Sequence, residues 1–130
     1  MRTPLVLLAA FALASVLPTG ASAKKPELLP TGNTIAGPGL VTVEPGSSTL
    51  VLRQSSTDPL NMCITIVHVG PAGTTVGGFV RDPAMVTNGS DVSNPGDAVT
   101  ACRAGSNNAL VQCTSAGPAC KALWRVDKID

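Results

Sequence analysis

The chain has 130 residues, 13% of them charged and 2% aromatic, with 13 glycines, 11 prolines and a hydrophobic fraction of 44%. Low charge combined with many small apolar side chains argues against a disordered acidic or basic chain, which lacks the apolar surface needed to offset ordering entropy. The formal net charge of +1 comes without any basic block, so nucleic-acid binding has no electrostatic footing.

Met1 and Arg2 give a short positive start, and Leu5 to Leu17 is an almost unbroken apolar run of 13 residues. Pro18 and Gly20 interrupt it before Ala21-Ser22-Ala23, the small-x-small form accepted by a signal peptidase. Residues 1–23 therefore read as a signal peptide, with cleavage after Ala23 and a secreted or periplasmic mature chain starting at Lys24. At about 1.5 Å per helical residue the run covers about two-thirds of a hydrocarbon core of roughly 30 Å, so no permanent span is expected. No later segment is long enough to span either. With Arg2 removed the mature chain is formally neutral, and no cysteine stands at the cleavage site to take a lipid anchor. Leu17-Pro18-Thr19-Gly20 and Leu29-Pro30-Thr31-Gly32 lack the extra residue of a cell-wall sorting signal and read as turns.

Residues 24–39 hold Pro26, Pro30, Gly32, Gly37, Pro38 and Gly39, a density of breakers that predicts an extended leader into the domain. Beyond it, short β-branched runs alternate with turn clusters, the pattern of an all-β sandwich. In Leu40 to Glu44 the valines fall on one face. Glu44 to Ser48 is a turn, and Thr49 to Arg53 returns with Leu50 and Leu52 on one face. Met62 to Val69 is apolar on both faces, as expected of a central strand covered on each side. Thr74 to Val80 is a weaker strand, further weakened by Gly77-Gly78. Residues 82–97 read as a loop with Met85-Val86-Thr87 the only short strand candidate inside. Strands follow at Ala98 to Arg103, Ala109 to Cys113 and Cys120 to Val126. No amphipathic helix and no internal repeat is present. The expected fold of residues 40–130 is a small immunoglobulin-like β-sandwich of about seven strands.

Cys63, Cys102, Cys113 and Cys120 all lie in the mature part, and an even number in an oxidising compartment implies two disulfides. Ala109, Val111 and Cys113 share one face, as do Cys120, Ala122, Trp124 and Val126. A hairpin through residues 114–119 with Cys113 opposite Cys120 would place every apolar partner on the same side. That register argues for Cys113 with Cys120 and leaves Cys63 with Cys102, against a Cys102–Cys113 competitor. The chain-entropy relation assigns about 2.5 kcal/mol to the short loop and about 4 kcal/mol to the long one.

His68 is the only histidine, so imidazole catalysis or a histidine metal site would have to run through it. With the cysteines oxidised, neither a zinc nor a blue-copper ligand set can be assembled. No Gly-x-Ser-x-Gly elbow is present and His68 ends an apolar strand, so it reads as structural. Asp91 to Asp97 offers oxygen ligands but lacks the spacing and closing glutamate of an EF-hand, and reads as a surface turn. Asn88-Gly89-Ser90 is formally a glycosylation sequon and also an ordinary tight turn. Trp124 shares the inward row and reads as core, while Lys121, Leu123 and Arg125 form an outer face with Asp127 and Lys128. Arg81-Asp82 and Arg103 carry no motif.

No metal, cofactor or catalytic set is expected. The functional expectation is an exported, non-enzymatic protein-binding module or component of an envelope or surface assembly. The alternative is a small secreted enzyme or enzyme inhibitor acting from a disulfide-fixed loop. Contact residues are sought on two loops, at Asp82, Asp91, Asn94 and Asp97 in the first and at Ser115 and Pro118 in the second, because loops on a rigid scaffold carry binding.

Overall fold

Alternation of apolar and polar residues gives strands with one face to bury, and two such sheets closed on each other satisfy all of them. The computed structural model describes residues 26–130; the expected signal segment and its cleavage site lie outside them. In chain order the strands are β1 (Thr34–Val43), β2 (Ser48–Arg53), β3 (Leu60–Gly70), β4 (Val76–Arg81), β5 (Thr87–Val92), β6 (Ala98–Ser106), β7 (Asn108–Cys113) and β8 (Cys120–Lys128). They form two antiparallel four-stranded sheets, ordered β1-β8-β3-β6 and β2-β7-β4-β5. The fold is an all-β, immunoglobulin-like sandwich with two disulfides, as the periodicity predicted. Among the described residues no helix is long and apolar enough to cross a membrane.

The core lies between the sheets. Met62, Ile64 and Ile66 of β3 are fully buried against Val76 and Val80 of β4 and Ala109 and Val111 of β7. Gly78 makes that approach close, since a Cβ there would lie 3.1 Å from a methyl of both Ile64 and Ile66. The outward residues Cys63, Thr65 and Val67 are covered too, at 8%, 9% and 6% exposure, so β3 is buried on both faces as expected. The outward cover comes from its strand neighbours: Cys63 is bonded to Cys102, and the Thr65 hydroxyl lies 2.9 Å from that of Thr100.

Three local readings need correction. β1 begins at Thr34, inside the stretch read as leader. Pro38 and its flanking glycines are tolerated because β1 is an edge strand whose ladder with β8 shifts register on both sides of Ala36. The Trp124 ring lies across this segment, with Nε1 2.9 Å from where a Cβ on Gly39 would sit, so the indole is half-buried in the inner row and not enclosed. The second correction is β5, an eighth strand within residues 82–97. It is polar and exposed, and pairs along its whole length with β4, where Phe79 covers the Cα of Gly89. Asn88-Gly89-Ser90 is thus strand and not a turn, with Asn88 Nδ2 donating to the Cys102 carbonyl at 2.6 Å.

The third concerns β7 and β8. Cys113 and Cys120 are bonded as argued, but their strands belong to different sheets and do not form a hairpin. Both apolar rows point inward from opposite layers, so residues 114–119 cross the sandwich and the bridge ties the layers together.

Candidate functional site

Strand register sorts the connections to two ends. Val43 opposite Cys120, Gly70 opposite Lys121 and Val76 opposite both Cys113 and Val92 gather the segments 44–47, 71–75, 93–97 and 114–119 at one end. Segments 54–59 and 82–86, with Asn107, lie at the other.

Thr75 joins three segments at the first end. Its N–H donates to Ser115 Oγ at 3.3 Å, its carbonyl accepts from Thr114 N–H at 3.0 Å, and its hydroxyl lies 3.0 Å from that of Ser93. The fully buried Cys113–Cys120 bridge lies beneath, with Ser115 Oγ 3.6 Å and 3.7 Å from its two sulfurs. His68 fixes the same end from inside. Its backbone donates to Asp97 O and accepts from Gly96 N, at 2.9 and 2.7 Å. Its ring is fully buried, and Nε2 lies 2.8 Å from the Thr74 carbonyl. A carbonyl only accepts, so Nε2 carries the proton of that bond. Thr74 Oγ1 in turn donates to the Pro71 carbonyl at 2.7 Å.

Five of the six expected contact residues fall at this end. Asp91, Asn94, Asp97 and Pro118 are exposed, and Ser115 is half-buried beside the disulfide. Asn94 closes its turn by accepting from Asp97 N–H at 3.1 Å. Asp82 is the exception. Asp91 faces Gly77 while Asp82 follows the Arg81–Thr87 pair, which puts about 16 Å of strand between them at ~3.3 Å per residue. The carboxylates at 82, 91 and 97 therefore share no cleft. Among the described residues no three His, Cys, Asp or Glu side chains converge as a metal site. The stabilising roles of Thr74 and Thr75 were invisible in the sequence, where a threonine pair after Gly73 carries no signal.

Asp82 instead closes the β4–β5 hairpin. It accepts from Val86 N–H at 2.9 Å and pairs with Arg103 across the sheets at 2.9 Å. The Arg103 hydrogen bond, helped by that of Val86, holds the Asp82 carboxyl below the ordinary aspartate value. A lowered folded-state value gives stabilisation present above the unfolded value and lost as pH falls through the folded one. In urea unfolding from about pH 6 to about pH 2, the wild-type midpoint should drop below about pH 4 more than that of Asp82→Asn, which starts lower. Parallel profiles would refute a folded-state role for this carboxylate.

No family model and no curated protein matches the chain. Among solved structures it is similar to a chain from work on Bacillus endospore appendages, described as a novel family of disulfide-linked pili, with 8% identity and a TM-score of 0.46. The match covers 83% of this chain and 100% of that one. Fold and site together define a two-disulfide β-sandwich carrying a braced loop end.

Proposed function

We propose that the protein is an exported, non-enzymatic module that binds another protein through its loop end, as part of an envelope or surface assembly. The observation that carries this reading is the convergence of segments 71–75, 93–97 and 114–119 on Thr75 above the Cys113–Cys120 bridge. Loops already fixed lose little entropy when a partner docks, so their exposed polar groups can recognise a surface without first being ordered. Two internal disulfides suit an oxidising destination. The single imidazole is buried and hydrogen-bonded to Thr74, which favours a bracing role over chemistry.

Crosslinking in the native host identifies the partner, and purified variants then rank the surfaces. Replacing residues 114–119 by a Gly-Ser segment of equal length should weaken capture by roughly tenfold or more, a loss of about 1.4 kcal/mol or more. Asp82→Asn, at the opposite end, should leave capture unchanged. Full capture by the loop variant would overturn the assignment of the surface. Substrate turnover abolished by triple Asp→Asn change at 82, 91 and 97 in a folded protein would overturn the class.

A further inference from the structure

Four arginines lie in the described residues, and two are neutralised within the chain: Arg103 by Asp82 and Arg125 by Asp127. Arg53 and Arg81 form no ion pair or side-chain hydrogen bond there. The register explains where they stand, because Arg53 of β2 and Arg81 of β4 both face Asn108 of β7, putting the three in one row on the outer side of their sheet. Asp82, the carboxylate next to Arg81 in sequence, is turned to Arg103 and cannot serve it. Arg81 Nε and Asn108 Oδ1 are shut off from solvent without a partner, a costly state for a charged donor.

The row is held in place by backbone bonds. Asn107 N–H donates to the Arg81 carbonyl at 2.9 Å, and its own carbonyl accepts from Gln54 N–H at 2.6 Å, pinning the ends of β2, β4 and β7. An open depression of about 520 Å³ lies beside Arg53, Asn107 and Asn108. The adjoining hairpin tip exposes Met85 and Val86, at 64% and 49%.

Segment 54–59 at this end carries one exposed carboxylate, Asp58, without an ion pair among the described residues, and the loop end is the more acidic of the two. Glu44, Asp91 and Asp97 are exposed there without an ion pair among the described residues, against Lys121 as the one described cation nearby. We propose that the arginine row receives the acidic loop end of a second copy of this chain, so that copies join head to tail. The inference rests on the protein-binding reading of the loop end and names its partner. The two unpaired guanidinium groups take aspartate or glutamate side chains of the incoming loops. Met85 and Val86 supply apolar contact at the edge. Because the two surfaces differ and lie at opposite ends, a joined pair keeps one of each free, and the contact propagates instead of closing as a two-fold dimer.

Sedimentation of the purified mature chain at low ionic strength tests this. Average mass should rise continuously with concentration and fall to the monomer near about 1 M salt, where the screening length is about 3 Å. Arg53→Glu with Arg81→Glu should weaken association by about tenfold or more, and so should Glu44→Lys with Asp91→Lys and Asp97→Lys. Mixing the two variants should restore association in a 1:1 ratio, which misfolded variants could not do. A wild-type chain that stays monomeric, stops at a dimer, or associates regardless of both charge reversals would overturn the proposal. Host-partner capture that depends on residues 114–119 while the purified chain stays monomeric would retain the loop-end reading and remove the self-association.

Discussion

Ile66→Ala should lower the unfolding free energy by about 2–5 kcal/mol, a large part of the roughly 5–15 kcal/mol available to a domain of this size. Ile66 is fully buried on the inner face of β3, with Trp124 and Val99 as its strand neighbours. Truncation removes apolar atoms from a site where the facing residue, Gly78, has no side chain to move into the gap. The loss should therefore fall in the upper part of that range. Leu40→Ala is the control, since Leu40 is 62% exposed and should change stability by about 0.5 kcal/mol or less. Urea unfolding followed by Trp124 fluorescence and by far-ultraviolet dichroism gives both values. Equal, small losses at the two positions would contradict the inter-sheet core described here.

Removing the Cys63–Cys102 bridge by alanine at both positions should cost about 4 kcal/mol, against about 2.5 kcal/mol for the Cys113–Cys120 bridge, because the former constrains a 39-residue separation and the latter one of 7. Accessibility runs the same way. Cys102 is exposed on edge strand β6, whereas Cys113 and Cys120 are fully buried between the sheets. Mild reduction of the native protein should open Cys63–Cys102 first, since exchange requires a thiolate to reach a sulfur. Time-resolved alkylation with peptide mapping, beside denaturation of both double variants, checks order and magnitude together. Release of Cys113 and Cys120 before Cys63 would reverse the assignment.

Where alternation was strong the sequence was sufficient. Met62 to Val69 declared a doubly buried strand, and the apolar rows at 109–113 and 120–126 placed Cys113 beside Cys120. The same rows misled about the hairpin, because inward faces in two opposed layers carry the same pattern as inward faces on paired neighbours. β5 escaped notice because Thr-Asn-Gly-Ser-Asp has no apolar residue and owes its strand to pairing with β4. β1 was started late because Pro38 removes a donor only where the edge ladder already slips. The loop placement of Asn94, Asp97, Ser115 and Pro118 followed from composition, but their gathering at one end with Asp91 came from strand register, and the distance of Asp82 from them depended on β5 being a strand. The arginine row is a product of cross-strand register alone, and no spacing within the sequence encodes it.

The pairing of β1 with β8 decides how the sandwich answers a mechanical load. Thr34 lies opposite Asp127 at one margin of that antiparallel ladder, and Val43 opposite Cys120 at the far margin. Tension entering before β1 and leaving after β8 acts on one margin, so the hydrogen bonds part in sequence like a zipper and not all at once in shear. The sheet would begin to yield at modest force. Extension would then meet the covalent loop at Cys63–Cys102, which withholds 39 residues, about 130 Å of contour at ~3.3–3.6 Å per residue. The molecule is thus compliant at its first strand and inextensible across its middle, with its redox state setting the boundary.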